Sequence, residues 1–353
     1  MTPAIAIKDR SIGPGQPVYI IAEMSANHGQ DFDQACKILA AAKEAGADAI
    51  KLQTYTADTL TIASDKEPFR IKGTAWQGRN LHDLYQEAFT PWEWQPKLMA
   101  AATDMGLHCF STPFDESAVD FLESIGVPAH KVASFELVDL ALLRKIAATG
   151  KPVIMSTGMA TLAEIDEAVT TLRQGGCREI ALLKCTSAYP ASPLSMNLRT
   201  IPHLAQAFDT VSGLSDHSLG LAVPVAAVAM GASIIEKHLT LSRSVPGPDS
   251  SFSLEPVEFK AMVAAVREAE QALGAVSYAV TKQEEASRAF RRSLFVVRDI
   301  KAGELFTTDN VRSIRPGHGL HPRYLEMTLG RRATQEIEKG TPLAWKHLGE
   351  AAL

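Results

Sequence analysis

The chain has 353 residues, enough for about two domains, and its 46% hydrophobic and 21% charged residues are ordinary for a globular protein with a large core. A formal net charge of -5, without any run of lysine and arginine, gives no support for nucleic-acid binding. Residues 1–10 lack the apolar stretch of a signal peptide, and the four cysteines form no CxxC pair. We therefore expect a cytoplasmic protein with reduced thiols and no membrane attachment.

Strand-like apolar runs alternate with helical patterns through the first three quarters of the chain. The predicted strands are residues 18–23, 49–54, 108–112, 131–134, 153–157, 180–185, 211–215 and 233–238. Predicted helices include residues 33–45, 92–105, 162–173 and 256–273, and the apolar run 219–230 is predicted to be a buried helix. This order predicts a (β/α)8 TIM barrel over residues 1–276. A doubly wound open sheet is disfavoured because no Gly-rich phosphate turn follows the first strand.

Two segments depart from this alternation. Residues 55–90 form a predicted irregular excursion, longer than ordinary connections and therefore expected to be functional. From residue 277 the pattern changes to a linker, 277–293, whose charged part 282–292 favours a helix. Residues 294–353 are predicted to form a small β-rich domain, with a strand at 294–297 and a helix start at Thr308-Asp309.

Polar residues crowd the carboxyl ends of the predicted strands, where barrel enzymes carry their chemistry. Any single one of these residues could be a helix cap or a solvated surface charge. Neither role explains why such residues recur at the same end of every strand. Two lysines supply charge and four hydroxyls supply hydrogen-bond donors, which suits a phosphorylated, carboxylated substrate. These residues are Lys51, Lys131, Thr112, Ser134, Ser156 and Ser215.

Two histidines, His217 and His238, end successive predicted strands, 238 − 217 = 21 residues apart. Two imidazoles leave coordination positions open for water and a substrate oxygen, which indicates a divalent-metal site; two unrelated structural histidines are the alternative. Glu236 shares the parity of His238, so both should face the barrel interior while Lys237 points outward. We expect the histidines to be exposed at the barrel mouth.

Short motifs in a fixed order make the chain similar to the sialic acid synthase family, whose members condense phosphoenolpyruvate with an N-acylated amino sugar. The resemblance covers nearly the whole chain, and its C-terminal part resembles the antifreeze-like (SAF) domain of that family. The motifs are Ile21-Ala22-Glu23, Ala49-Ile50-Lys51-Leu52-Gln53-Thr54, Ser111-Thr112-Pro113-Phe114, Ser156-Thr157-Gly158-Met159, Gly213-Leu214-Ser215-Asp216-His217, Pro246-Gly247-Pro248-Asp249, Lys301-Ala302-Gly303-Glu304 and Ile314-Arg315-Pro316-Gly317.

Within this family the chain resembles most closely the pseudaminic acid synthase branch. That resemblance rests on Glu23-Met24-Ser25-Ala26-Asn27-His28, Lys51-Leu52-Gln53-Thr54-Tyr55-Thr56, Leu81-His82-Asp83-Leu84-Tyr85 and Thr90-Pro91-Trp92-Glu93-Trp94. It implies 2,4-diacetamido-2,4,6-trideoxy-L-altrose as the acceptor sugar. The chain has Ser187 where sialic acid synthases usually have asparagine after Cys-Thr on the sixth strand.

The resemblance also implies a role for each candidate residue. Phosphoenolpyruvate would bind the two lysines and four hydroxyls named above. A divalent cation (Mn2+, Mg2+ or Co2+) on His217 and His238 would bind the sugar aldehyde oxygen. Glu23 and Glu236 would handle protons or steady the cation formed at C2. The remaining substrate contacts would be Glu136, Ser187, Tyr189, Asp249 and Arg315.

Assembly and rival functions complete the expectations. In the resembled family the small domain covers the partner subunit's active site, so a domain-swapped homodimer is expected, with Arg315 touching the sugar. An N-acetylneuraminate or legionaminate synthase is the alternative within the family. Outside it, the rivals are a class I aldolase with a Schiff base on Lys51 or Lys184, and a non-enzymatic sugar-binding protein.

Overall fold

The computed structural model describes residues 3–74 and 76–351. Its Cα positions divide into two compact units, one ending at Gly274 and the other beginning at Ala275. No helix in the described part of the chain is long and apolar enough to cross a membrane. The apolar run 219–230 contains the short helix Ala222–Ala229, whose Val223, Ala227 and Val228 are buried. The predicted helix is confirmed, but it is buried on one face only, since Ala222, Ala226 and Ala229 are exposed.

Within the described residues, eight parallel strands close a barrel in the first unit. The last strand pairs with the first, so that His238 lies opposite Glu23, and the open-sheet alternative is wrong. The predicted (β/α)8 fold is confirmed, with boundaries shifted by no more than about two residues. The strands are Tyr19–Glu23, Ala49–Thr54, His108–Pro113, His130–Val132, Val153–Ser156, Ile180–Cys185, Val211–Asp216 and Ile234–His238.

One helix follows each barrel strand and packs an apolar face on it. The first, for example, begins after Asp31, whose carboxylate accepts hydrogen bonds from the first-turn amides, and ends at Gly46 with φ of 91°. Its buried Ile38 and Leu39 each stabilise the fold by about 1.5–3 kcal/mol. The helices are Phe32–Ala45, Gln95–Asp104, Glu116–Ser124, Leu140–Ala147, Leu162–Gln174, Thr200–Phe208, Ala222–Ala229 and Pro256–Leu273.

The two ends of the barrel differ in chemistry. An antiparallel hairpin, Ile5–Ile7 with Arg10–Ile12, precedes the barrel and buries its isoleucines against the interior. The partners of these isoleucines include the first residues of several strands, so the hairpin closes the amino-terminal end. The hairpin isoleucines belong to one apolar cluster with Tyr19, Ile21, Ala49, Phe110, Ala129, Ile154, Ala181, Leu183, Val211 and Ile234. This leaves the opposite, carboxyl end of the strands for polar side chains.

The excursion between the second and third strands is more regular than expected. It contains the helices Ala57–Leu60 and Leu81–Ala88 and a 3-10 turn, Glu67–Phe69. The prediction of an irregular segment was therefore wrong for Leu81–Ala88. Asn80 caps that helix through its side chain, a signal that the sequence contains and the prediction overlooked. The following predicted helix 92–105 begins as a 3-10 turn, Trp92–Trp94, before Gln95–Asp104.

The second unit has its own small β-rich core. Its described strands form two antiparallel pairs, Ser293–Val296 with Val311–Ile314 and Arg331–Ala333 with Leu348–Ala351. A charged helix, Lys282–Arg288, precedes them, and Leu325–Thr328 forms one further turn of helix. The predicted helix start at Thr308-Asp309 was wrong, because the chain makes a turn there and enters a strand. The core residues are Leu294, Val296, Ile300, Phe306, Val311, Ala333, Ile337 and Leu343.

Candidate active site at the carboxyl ends of the barrel strands

A cavity of about 500 Å³ opens at the carboxyl ends of the strands. Its polar side chains come from the strand ends and from the loops that follow them, as the sequence pattern indicated. Eleven of the predicted site residues line it: Lys51, Lys131, Ser134, Glu136, Ser156, Tyr189, Ser215, His217, Glu236, His238 and Asp249. The structure thus brings most of the candidate residues into one chamber, while their roles stay predictions.

Three more predicted residues lie directly behind the cavity wall. Glu23 forms an ion pair with the Lys51 ammonium, and Thr112 Oγ1 accepts a hydrogen bond of 3.1 Å from Lys51 Nζ. Ser187 Oγ lies 2.8 Å from Ser134 Oγ. Arg315 belongs to the second unit, where it follows the strand Val311–Ile314, so its contact with the sugar stays a prediction.

Two lysines and two carboxylates form a buried charge cluster. We call this cluster and three neighbouring serines the floor of the cavity. Lys51 and Lys131 each lie 3.8 Å from Glu236 Oε1, and Glu23 pairs with Lys51 from the other side. Lys131 Nζ also donates to Ser156 Oγ at 2.6 Å. The floor consists of Glu23, Lys51, Lys131, Ser134, Ser156, Ser215 and Glu236.

Burial and neighbouring charges shift the pKa values of the floor in different directions. Burial raises the pKa of Glu23 to about 7, although Lys51 opposes the shift. Burial acts likewise on Glu236, but Lys131 and Lys51 outweigh it and hold its pKa below the usual value. Burial lowers the pKa of Lys131, whereas the carboxylates outweigh burial at Lys51 and raise its pKa. The floor therefore holds Lys51 as a cation beside an ionised Glu236.

The hydroxyls of Ser134 and Ser187 meet beneath a glycine turn. Gly158, which follows the fifth strand, has φ of 46°. A Cβ at that position would lie 2.3 Å from Ser134 Cβ and 2.7 Å from Ser187 Oγ. The close approach leaves no room for a Cβ, and glycine adopts this backbone conformation without steric cost. The Ser-Thr-Gly motif of the sequence therefore shapes the cavity as well as contributing Ser156.

The two histidines at the last two strand ends face each other, with ring centroids 5.3 Å apart. Both are buried, so the expectation of exposed mouth residues was wrong. His217 Nδ1 lies 3.0 Å from the Thr186 carbonyl oxygen. Because a carbonyl only accepts, Nδ1 carries a proton, so the neutral ring of His217 presents its lone pair on Nε2.

An ion pair on the outer side of the same strands links the residues beside the two histidines. Lys237 donates to the Asp216 carboxylate and to the Ser218 carbonyl oxygen. Asp216 also accepts from the Ser218 amide at 2.8 Å. Lys237 points away from the cavity, as its parity predicted, but it is buried rather than solvated. The pair joins the ends of the two strands that carry His217 and His238.

The excursion contributes largely apolar side chains to the cavity, together with Thr61, Thr74 and Tyr85, and we call its apolar part the roof. Trp76 packs on Tyr189 with ring centroids 5.5 Å apart, and its Nε1 donates to the Pro248 carbonyl oxygen at 2.8 Å. Phe252 lies 5.0 Å from Tyr189 and completes an aromatic corner beside the histidines. The roof residues that line the cavity are Leu60, Ile71, Trp76, Leu81, Leu84 and Ala88.

Two further carboxyl groups border the cavity between floor and roof. Burial raises the pKa of Glu136 to about 7, and its Oε2 finds no hydrogen-bond partner within residues 3–74 and 76–351. Burial also raises the pKa of Asp249, against the opposing hydrogen bond from Ser25. The unpartnered Glu136 Oε2 needs a hydrogen-bond partner, which a bound ligand with hydroxyl or amide groups would supply.

Comparison with known proteins agrees with this geometry. Residues 38–278 match the NeuB family, and residues 291–349 match the SAF domain. The chain belongs to the NeuB family. The predicted membership in the sialic acid synthase family is therefore confirmed, as is the predicted architecture of a barrel followed by a SAF domain.

The relatives of this NeuB-family chain match it almost end to end. It is 47% identical over 326 residues to pseudaminic acid synthase of Campylobacter jejuni, covering 92% of this chain and 95% of that protein. It is 44% identical to pseudaminic acid synthase of Helicobacter pylori, covering 93% and 97%. The N-acetylneuraminic acid synthetase structure from Leptospira borgpetersenii matches with a TM-score of 0.72 and 32% identity, covering 81% of this chain and 95% of that one.

The two histidines fit a divalent cation with an open coordination sphere. His217 offers Nε2, and His238 Nδ1 is buried without a partner in the described part of the chain. No group of three or more His, Cys, Asp or Glu side chains suited to a metal occurs among the described residues. Two imidazoles are thus the available protein ligands, and water or substrate oxygens would complete the shell.

Sequence reasoning assigned no role to several residues that line the cavity. Ser25 and Gln53 were recognised as strand-end polar residues only, and Cys185 as a reduced thiol. Tyr55 and Phe252 were missed as well, and the excursion that supplies the roof was predicted to be functional without a role for its individual residues. Parity along the second strand places Gln53 on the face of Lys51, so that signal was available. Within the roof, Leu81, Leu84 and Ala88 do carry a local signal, since they recur at helical spacing on the helix Leu81–Ala88.

Proposed function

We propose that this chain is a pseudaminic acid synthase. It would condense phosphoenolpyruvate with 2,4-diacetamido-2,4,6-trideoxy-L-altrose and water to give pseudaminic acid and phosphate. One observation carries the proposal: a hydroxyl-lined floor with two buried lysines lies beside two facing histidines and a largely apolar roof, in a NeuB-family barrel. The 47% and 44% identity to two pseudaminic acid synthases supports the choice of sugar.

Phosphoenolpyruvate fits the floor by charge and by hydrogen bonding. The Lys51 and Lys131 ammonium groups attract its phosphate and carboxylate. The hydroxyls of Ser134, Ser156 and Ser215 line the same wall and can donate to anionic oxygens in fixed positions. Because these groups are buried, their interaction with an anion is stronger than it would be in water.

The reaction joins C3 of phosphoenolpyruvate to the aldehyde carbon of the open-chain sugar. The aldehyde oxygen gains one proton of the water, the water oxygen bonds to C2, and the bond between C2 and the bridging oxygen breaks to release phosphate, which takes the second proton as C2 becomes a ketone. Glu236, held ionised by its two lysines, would stabilise positive charge at C2. Glu23 and Glu236 are our candidates for the proton transfers.

We assign a divalent cation to His217 and His238. When bound there, Mn2+, Mg2+ or Co2+ would supply Lewis-acid polarisation of the sugar aldehyde oxygen. The protein's own contribution is orientation: the Thr186 carbonyl oxygen fixes the ring of His217, and Phe252 packs 5.1 Å from the ring of His238.

The roof supports a deoxygenated, N-acylated acceptor. The proposed sugar carries a methyl group at C6 and two acetamido methyl groups, and aliphatic and aromatic side chains line the roof side of the cavity. A hydroxyl group on C6 would bring a polar group against that wall and lose hydration. This favours the trideoxy sugar over N-acetylmannosamine, whereas a legionaminate precursor with the same methyl groups stays the alternative within the family.

The Schiff-base aldolase is the weaker alternative. A lysine nucleophile must be a neutral amine, but the carboxylates around Lys51 raise its pKa. Burial does lower the pKa of Lys184, yet its Nζ donates to the Cys185 carbonyl oxygen and to Thr186 Oγ1, and it is not among the described cavity-lining residues. A non-enzymatic sugar-binding protein would need no buried pair of lysines beside two histidines.

A phosphate-release assay with a panel of sugars tests the proposal. The purified chain with Mn2+ and phosphoenolpyruvate should release phosphate with the diacetamido trideoxy altrose, and much more slowly with N-acetylmannosamine. Lys51→Met should lower kcat/KM by at least about 100-fold, and the matched Lys184→Met should change it little. Trapping of pyruvate by borohydride, or efficient turnover of N-acetylmannosamine, would overturn the assignment.

We further propose a cytoplasmic, domain-swapped homodimer in which Arg315 reaches the sugar bound by the partner subunit. A planar guanidinium suits the carbonyl and hydroxyl oxygens of an acylated sugar, and the four unpaired cysteines suit a reducing compartment. Mixing Arg315→Ala and His217→Ala chains should restore part of the activity, because one hybrid site receives both intact residues. A mixture that exchanges subunits but stays inactive, or an active monomer, would contradict it.

A further inference from the structure

Ser25 occupies a backbone conformation that side chains rarely adopt. It lies two residues after the first barrel strand, at the start of the 3-10 turn Ser25–His28, lines the cavity and is buried. Its φ of 46° lies in the left-handed region, where a Cβ crowds the backbone. A non-glycine residue keeps such a conformation only when its surroundings hold it there, and such sites are concentrated where function requires them.

Three hydrogen bonds hold Ser25 in place. Its amide donates to Glu23 Oε1 at 2.8 Å, and its hydroxyl donates to the Asp249 carboxylate. The same hydroxyl accepts from Gln53 Nε2 at 2.9 Å. One small residue therefore connects the ends of the first and second strands with the loop that follows the eighth strand.

The partners of Ser25 belong to both halves of the proposed reaction. Glu23 pairs with Lys51 on the phosphoenolpyruvate side. Gln53 and Asp249 line the cavity, and the Asp249 carboxylate also accepts a hydrogen bond from the Ala26 amide. The Ser25 hydroxyl donates to Asp249 and accepts from Gln53. These two bonds set the direction in which the Asp249 and Gln53 side chains present their remaining polar atoms.

We propose that Ser25 is a positioning residue that holds Gln53 and Asp249 against the acceptor sugar while its amide fixes the orientation of Glu23. The inference rests on the proposed function, since it assigns Gln53 and Asp249 to the sugar. Ser25 thereby aligns the sugar with the floor on which phosphoenolpyruvate binds. Serine suits this position because glycine would remove the steric crowding at positive φ but would also remove the hydroxyl.

Ser25→Gly separates the two properties of this residue. Glycine accepts φ of 46° without steric cost, so the variant should melt above Ser25→Ala, which keeps the crowding. Both variants lose the hydroxyl. We expect kcat/KM for the sugar to fall by about 10- to 100-fold in both, which is the range for a hydrogen bond to a charged group. The KM for phosphoenolpyruvate should change by less than about threefold.

Asn197→Gly is the matched control. Asn197 also has a positive φ, 45°, but it lies outside the described cavity lining, between the sixth strand and the helix Thr200–Phe208. Its replacement should leave both KM values and kcat unchanged. A Ser25→Gly enzyme with the wild-type kcat/KM for the sugar would overturn the inference, because it would show that the hydroxyl is dispensable.

The readout also distinguishes positioning from general support. If Ser25 were only structural, the KM for phosphoenolpyruvate and the KM for the sugar would change together, and activity would follow melting temperature across the two variants; that result overturns the inference. Wild-type chain that releases no phosphate with any diacetamido sugar overturns the proposed function, and the inference that rests on it, before any variant is compared.

Discussion

At its amino-terminal end the barrel interior is filled with apolar side chains, where Ile7 and Ile12 of the hairpin pack with Tyr19 and Ile234. At the carboxyl end the same strands bury two lysines and two carboxylates. The register shows how short the transition is, since the last strand passes from Ile234 to Glu236 within two residues. Packing at one end holds in place charges at the other that would be costly to bury alone.

The comparison predicts that changes at the carboxyl end remove activity and leave the fold. His217→Ala should lower kcat by at least about 10³-fold if the two histidines hold the cation. The ring is 5% exposed and bonded to the Thr186 carbonyl oxygen, so we also expect a loss of about 1–2 kcal/mol in the free energy of unfolding. Phosphate release and thermal unfolding measure the two effects.

The control for this prediction is His203→Ala, an exposed histidine on the helix Thr200–Phe208, which should alter neither quantity. Chelator should silence the wild-type chain, and Mn2+ should restore it. Full activity with chelator present would contradict the metal assignment, although it would leave the rest of the site intact.

Changes at the amino-terminal end should have the opposite signature. Ile7→Ala removes a side chain that is 0% exposed, so we expect the free energy of unfolding to fall by about 2–4 kcal/mol. Both KM values should remain those of the wild type at a temperature where the variant is folded. Denaturant unfolding and steady-state kinetics test this. Val257→Ala, at a position 80% exposed, serves as the control that should not lose stability.

Buried charge at the carboxyl end should make stability depend on pH. The pKa of Glu136 is raised to about 7 from 4.5, so its contribution to stability is complete below its ordinary pKa and is lost as the pH rises through 7. Glu136→Gln imitates the protonated form. It should therefore be more stable than wild type by about 1–3 kcal/mol at pH 8 and equal to it near pH 4.

Melting curves across this pH range measure the crossover. The matched Glu167→Gln, on the exposed face of the helix Leu162–Gln174, should keep the wild-type profile. A Glu136→Gln variant whose advantage does not change with pH would show that the amide acts through packing and not through charge.

The smallest expected effect concerns the roof. Ile71→Ser should reduce the ratio of kcat/KM for a sugar whose C6 is a methyl group to that for a sugar with a hydroxyl on C6. The expected reduction is about tenfold, the usual range for one methyl-sized contact. Competition between the two sugars measures the ratio directly. Ile62→Ser is the control, because Ile62 belongs to the same excursion but is 61% exposed and is not among the described cavity-lining residues. An unchanged ratio in both variants would remove the roof from the specificity argument.

Much of the candidate site could be predicted because strand ends are local features. Lys51, Lys131, Ser156 and Ser215 each belong to or directly follow an apolar strand, and parallel strands in a barrel carry such residues to one mouth. The burial of His217 could not be predicted in this way. It depends on Tyr189 and Phe252, which pack on its ring from loops far away in the sequence.

By itself, the sequence determined the strand order, the closing helices and the polar strand ends, because hydrophobic period and capping act within a few residues. The contacts of Ser25 with Gln53 and Asp249, and the placement of Trp76 against Tyr189, were decided only by the tertiary structure. These residues lie up to 224 positions apart, from Ser25 to Asp249. Closure of the barrel brings them together, and no local sequence pattern predicts contacts between residues so far apart in the chain.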